Sequence, residues 1–202
     1  MSSRIVKTLA ATLVAVTALS GAACSSTSKD TAPTSIKDAK DRAADRTEKG
    51  LTEITPASLR KIIDAAATRS GKKPARITEI QLAGGDITVD IVDPKKPSEL
   101  NSWHVSSDGE VKGESTPVDY GGDGEALRQN AFGSDEVKTQ AVVDAIAAAP
   151  GAAKLDGGKI LGVSVSRRIP ATEEIRSMVT VQSPRGTKTV WADMTGKVVT
   201  VR

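Results

Sequence analysis

The chain has 202 residues, 28 of them basic and 25 acidic, a formal net charge of +3 and one cysteine. A balance this close to neutral leaves no single-sign field to steer nucleic acid, and one cysteine supports neither a disulfide framework nor a zinc cluster. With only two Trp, one Tyr and one Phe, any core must be built from Val, Ile, Leu and Ala, and stacking platforms for bases or sugars are nearly absent.

The amino terminus has the pattern of a leader. Arg4 and Lys7 are its only charges, and an uncharged, mostly apolar run from Thr8 to Ala23 follows. That run is shorter than the roughly twenty residues of a bilayer-spanning helix, so a cleavable export signal is expected rather than a permanent span. Small residues Gly21, Ala22 and Ala23 lead into Cys24. The stretch Leu19-Ser20-Gly21-Ala22-Ala23-Cys24 resembles the lipobox of bacterial lipoproteins. The resemblance implies a diacylglycerol on the Cys24 thiol, cleavage after Ala23, and a mature chain held by its lipid on the outer face of the cell membrane. Two acyl chains give stable attachment where one gives only marginal binding. The alternative is a plain secretory signal with a leftover thiol that has no second cysteine to pair with.

After the leader (residues 1–23), residues 24–50 are rich in Ser, Thr, Lys and Asp with almost no apolar side chains, which predicts a flexible tether. A coil of that length has a root-mean-square reach of roughly 25 to 30 Å. A short helix over Ile36 to Glu48, where charges alternate, is the other reading, opposed by the lack of an apolar stripe.

A first helix-plus-sheet unit is predicted over residues 51–113. Thr55 is a good N-cap, Pro56 fits the first helical position, and Leu59, Ile62, Ile63 and Ala66 recur at helical spacing, giving a helix from Pro56 to Arg69. The period then changes to two. Strands follow at Arg76 to Leu82, around Ile87-Val89-Ile91 and around Trp103-Val105, with turns at Gly84-Gly85 and Asp108-Gly109. Residues 114–133 are glycine-rich and form the expected linker.

A second unit is predicted over residues 134–202. Ser134 is the candidate N-cap of a helix carrying Val142, Val143, Ile146 and Ala149 and ended by Pro150-Gly151. Strands are expected at Ile160 to Arg167, Ile175 to Ser183, Thr187 to Asp193 and Lys197 to Val201. The halves look like divergent copies: Ile62-Ile63-Asp64-Ala65 answers Val142-Val143-Asp144-Ala145, and the strand of Trp103 answers that of Trp191. The closing stretch from Thr189 to Val199 resembles the end of PepSY-type domains, small exported units of one helix and a few antiparallel strands. The resemblance implies, by analogy, regulation of a peptidase or a sensor in the envelope. The predicted fold class is therefore α+β, two similar units, each one helix packed on a small antiparallel sheet of three to four strands.

Chemistry-bearing groups are sparse. His104 is the sole histidine and lacks any nucleophile motif, so it is expected to face solvent or a cross-strand partner. Asp119, Asp123 and Glu125 miss the spacing of a calcium loop. Arg167, Arg168, Arg176, Arg185 and Lys188 could meet headgroups or an acidic partner, or simply keep a sheet face soluble. Trp103 and Trp191, in apparently matched positions, are either core anchors or a shared binding surface. No enzyme, metal or cofactor is expected. The leading expectation is a binding or regulatory module for an envelope protein partner; the alternative is a carrier of a small apolar or lipid ligand between helix and sheet.

Overall fold

Local chemistry defines the helix best read from the sequence. The Thr55 hydroxyl accepts from the Ser58 N–H at 3.1 Å while the Ser58 hydroxyl accepts from the Thr55 N–H at 2.9 Å, a reciprocal cap with Pro56 at the first position. The helix runs Pro56–Arg69 (α2) and buries Leu59, Ile62, Ile63, Ala66 and Ala67. The computed structural model describes residues 36–121 and 124–202; Ala23 and Cys24 lie outside the described residues.

A helix over Ile36–Thr52 (α1) precedes α2. The second half of the segment expected to be a tether is thus helical. Its stabilising apolar contacts come at and just past its end, where Leu51 is wholly buried and Ile54 nearly so, and the Glu48 carboxylate accepts from the backbone N–H of Ile160. A stripe along the whole helix is therefore unnecessary.

Strands Arg76–Ala83 (β1), Asp86–Val92 (β2), Leu100–Val105 (β3) and Thr116–Val118 (β4) follow, then a short helix Gly124–Asn130 (α3) and the two-residue strand Phe132–Gly133 (β5). Helix Thr139–Ala153 (α4) leads into Lys159–Arg168 (β6), Thr172–Ser183 (β7), Gly186–Ala192 (β8) and Val198–Val201 (β9). The fold is mixed: four helices and one antiparallel sheet of nine strands among the described residues, in the order β4-β3-β2-β1-β6-β7-β8-β9, with β5 beside β1.

Two small separate sheets were expected, yet the strands make one. The join is β1 against β6, where Ile80 opposes Val165 and Leu82 opposes Val163 about the central pair Gln81 and Ser164. Exchanging the two strands leaves that pairing unchanged in kind. Across the sheet, one row of side chains runs Val105, Ile87, Leu82, Val163, Val179, Val190 and the next runs Trp103, Val89, Ile80, Val165, Ser177, Ala192. These rows pack with α2, α4 and Leu51 in one core, so the helices share one face of the sheet.

Two boundaries differ from expectation. Helix α4 starts at Thr139, not after Ser134, because the buried Ser134 hydroxyl accepts from the backbone N–H of Ala75 at 3.1 Å and is not free to cap. Arg60 of α2 also donates to the carbonyls of Ser134 and Val137, holding this turn in place. The helix continues past Pro150 and ends at Lys154, a non-glycine residue in the left-handed region at φ 51°. The expected linker is structured too. Leu127 and Ala131 pack on Val92 and Leu100, with Val118 and Tyr120 alongside, making a second small core on the sheet face away from the large helices.

Candidate functional site

The side chains on the face opposite α2 and α4 follow from strand alternation. One row reads His104, Thr88, Gln81, Ser164, Met178, Trp191, Thr200, and the next reads Ser102, Asp90, Glu79, Ser166, Arg176. The α3 segment covers the β2–β3 end of this face. The β7–β8 end carries Trp191, half-buried against its cross-strand neighbour Met178, with the Arg202 guanidinium 5.6 Å from the indole centroid, within cation–π range.

Trp103 and Trp191 are thus not a matched pair. Trp103 lies on the helix-covered face, 8% exposed, with its indole N–H buried and without an acceptor among the described residues; Trp191 lies on the opposite face. The turns explain the difference. In one, Ser106 N–H bonds Glu110 O and Gly109 N–H bonds Ser106 O; in the other, Asp193 N–H bonds Lys197 O and Gly196 N–H bonds Asp193 O. Aligned on these turns, Trp191 matches His104 and Trp103 matches Val190. A one-residue offset in a strand sends a side chain to the other face.

Both turns are braced by a carboxylate. Asp193 accepts from the Thr195 hydroxyl at 2.6 Å and from the N–H groups of Thr195 and Lys197, and the Thr195 hydroxyl is the main cause holding its carboxyl below its ordinary value. Asp108 is lowered in the same way, first by the Ser106 hydroxyl. These are structural roles.

A cavity of about 420 Å³ opens beside the α3 cover, lined by residues of β1, β2, β3 and β6 and by residues 118–120, Asn130 and Ile169. Two irregularities of strand register meet at its floor, between Ile77 and Glu79 on β1 and between Ser166 and Arg168 on β6. Such bulges redirect side chains. Glu79 and Asp90 are cross-strand partners here. Burial raises the Asp90 carboxyl above its ordinary value, the nearby Glu79 charge adds to this, and the Ser102 hydrogen bond and the His104 charge oppose it. Glu79 accepts from the Ser164 hydroxyl and, at 3.5 Å, from Arg168.

The remaining candidates are dispersed. His104 is exposed on the open face. Asp119 accepts from the N–H of Gly121 at 2.8 Å, and no metal-holding cluster occurs among the described residues. The basic residues do not form one patch: Arg167 turns to Ala131 O and Glu136, Arg176 pairs with Glu174, Arg185 sits 4.0 Å from Asp156, and Lys188 donates to Ala153 O at the end of α4. The cavity is a feature that sequence reasoning missed. The α3 cover beside it had one signal, the adjacent apolar pair Ile91-Val92, where alternation predicts a polar residue and Val92 instead packs on Leu127 and Ala131.

No family model matches the chain, and no curated protein does. Among solved structures, the crystal structure of a putative lipoprotein from Clostridium difficile 630 is similar at 12% sequence identity and a TM-score of 0.45, over 69% of this chain and 89% of that one. A likeness that loose fixes neither fold nor function. The resemblance to PepSY-type domains therefore rests on the order of elements and on the closing turn alone.

Proposed function

We propose that this chain is a lipid-anchored extracytoplasmic lipoprotein that works as a non-catalytic binding or regulatory module for a protein partner in the envelope. The observation that carries the binding reading is the sheet face that no helix among the described residues covers at its β7–β8 end, where Trp191, Met178 and Arg202 lie together. A rigid sheet presenting a half-buried indole beside a guanidinium suits contact with a protein, since Trp and Arg are enriched where interfaces are strongest. The anchor reading rests on the residues before Cys24, with no helix among the described residues long and apolar enough to cross a membrane. Eleven residues, 25–35, lie between Cys24 and Ile36, the first described residue, and a chain of that length spans at most about 40 Å. The module works close to the bilayer. The two-unit reading, helix then strands repeated and joined through β1 and β6, belongs to the same proposal.

The apolar-carrier reading gains nothing from the packing. Ile62, Ile63, Ala66 and Ala67 of α2 and Val142, Ala145 and Ala149 of α4 have no exposed surface and fill the space between helices and sheet.

Two experiments test the proposal. Cys24→Ala is expected to abolish fatty-acid labelling and sedimentation with membranes; retention of both ends the anchor reading. A photo-crosslinking amino acid placed at Thr180 or Thr189 on the open face is expected to capture a protein in cells. One at Lys61 on α2 is expected not to. Capture of the same species from Lys61, or of lipid alone from the open face, overturns the binding reading.

A further inference from the structure

Aligned on their two turns, β3 answers β8, and the cross-strand pair Val92 and Leu100 falls against the pair Gln182 and Thr187 on the same, open face of the sheet. Gln182 and Thr187 are polar and exposed, whereas Val92 and Leu100 are apolar and buried beneath Leu127 and Ala131. The sheet therefore holds together at this position without a cover, and its face is apolar only where α3 rests on it. That cover is lightly held. Its apolar contacts form a small cluster separate from the main core, and such satellites open at lower cost than the core does. Strand β4 adds three residue pairs to β3, with Pro117, which has no N–H, at the centre, and the ion pair of Glu114 with Arg69 is exposed and so worth little. Val118, Asp119 and Tyr120 line two cavities, of about 420 Å³ and 210 Å³, so this stretch meets the sheet along a narrow ridge. The firmer bonds gather at the far end of α3, where Arg76 donates to Arg128 O at 2.9 Å and Asn130 Oδ1 accepts from the Ile169 N–H at 2.8 Å. At the entry side stands Gly113, at φ +69° with open space around it, free to turn.

We propose that β4 and α3 form a lid that lifts while the rest of the sheet stays folded, turning at Gly113 and staying fastened at the far end of α3, and that it uncovers Val92 and Leu100 on the face that carries Trp191. Closed, the lid holds Leu127 in the place that an apolar side chain of a protein partner takes when it is open. The contact is then autoinhibitory. A lid closed in most molecules lowers the partner's apparent affinity in proportion to the fraction that is open, and a partner that binds only the open form shifts the balance toward it. The regulatory part rests on the reading that the open face meets a protein partner. The opening does not, because it follows from how this segment is fastened.

The opening is tested by iodoacetamide labelling of single thiols in the full chain carrying Cys24→Ala. Val92→Cys, under the lid, is expected to react at least about a hundredfold faster than Ile80→Cys in the main core, with a rate that barely responds to urea. Labelling of Val92→Cys as slow as that of Ile80→Cys, with the same urea dependence, overturns the lid. Hydrogen exchange on the unaltered chain gives a second reading if a variant fails to fold. The Ala131 N–H, bonded to Leu127 O at 3.1 Å, is expected to exchange with a shallow urea dependence, and a steep one shared with the Ile80 amide overturns the lid as well. Regulation is tested with a photo-crosslinking amino acid at Ser102, beside the covered strip. Leu127→Asp, which holds the lid off, is expected to raise capture of the partner there by about tenfold or more. Capture from Thr180 with no gain at Ser102 in a folded Leu127→Asp variant overturns the autoinhibition and leaves the binding reading standing. Fast labelling of Val92→Cys with no capture from Thr180 upholds the lid and ends the binding reading instead.

Discussion

At the scale of single residues, the two tryptophans make opposite predictions. Trp103 fills the core, so Trp103→Ala is expected to cost about 3–5 kcal/mol in denaturant unfolding, while Trp191→Ala on the open face is expected to cost about 1 kcal/mol. Trp103→Phe sharpens the comparison. It removes an indole N–H that has no acceptor among the described residues, a defect that costs about 1–3 kcal/mol, and so offsets most of the ring area it loses. Acid titration separates the aspartates. The Asp90 carboxyl is raised in the fold, so between its ordinary value and its folded value the native state holds more protons than the unfolded chain, and stability falls as pH rises through that window. Asp90→Asn is therefore expected to be more stable than the parent chain at neutral pH, with the advantage gone below the ordinary carboxylate value. Asp193 is lowered, so its contribution is present above that value and lost as pH falls through the folded one. Asp193→Ala should destabilise at neutral pH and match the parent in strong acid. Urea midpoints measured across pH check both signs.

At the scale of elements, what could be read from the sequence is what is decided locally. Helix α2 carries its own start signal in Thr55, Pro56 and Ser58, and the strands announce themselves by alternation and by the glycine turns between them. Elements decided by distant contacts were hidden. Helix α1 is ordered at its end by Leu51 and by the close approach of Gly50 and Thr47 to Gly84 in the β1–β2 turn. The start of α4 moved because Ser134 serves the backbone of Ala75, fifty-nine positions away. The paired tryptophans looked equivalent because a one-residue offset is invisible until the turns are aligned. The Gly84 contact gives a test. Gly84 has φ +66°, and a Cβ there would sit 3.1 Å from the Thr47 hydroxyl and 3.2 Å from the Thr47 Cα, whereas a Cβ at Gly85 meets nothing within 4 Å. Gly84→Ala is expected to cost about 1–3 kcal/mol and to speed hydrogen exchange along α1, and Gly85→Ala to do neither. Equal exchange in both variants would show that α1 is held by something other than this approach.

At the scale of the whole molecule, the seam between β1 and β6 controls whether either half can exist alone. The pairing is reciprocal about Gln81 and Ser164, with Ile80 and Leu82 on one strand meeting Val165 and Val163 on the other, all on the helix-covered face. Cutting the chain in the glycine-rich interval before α4 would strip β6 of its neighbour and leave a central strand as an exposed, apolar edge. Such an edge recruits another strand. The reciprocity names which one: two copies of β6 laid antiparallel about Ser164 set Val163 of one against Val165 of the other, repeating the burial that β1 provides in the intact chain. A fragment of residues 134–202 is therefore expected to sediment as a dimer or larger species. Val165→Pro in that fragment removes an N–H that points at the seam and is expected to abolish the pairing. In the intact chain the outermost strands are short, β4 with three residues and Pro117 at its centre and β9 with four, so the same sheet ends in edges that offer a partner strand little to pair with. The intact protein should accordingly remain monomeric under conditions where the fragment associates, and a monomeric fragment would mean that the seam joins two halves that were each already complete.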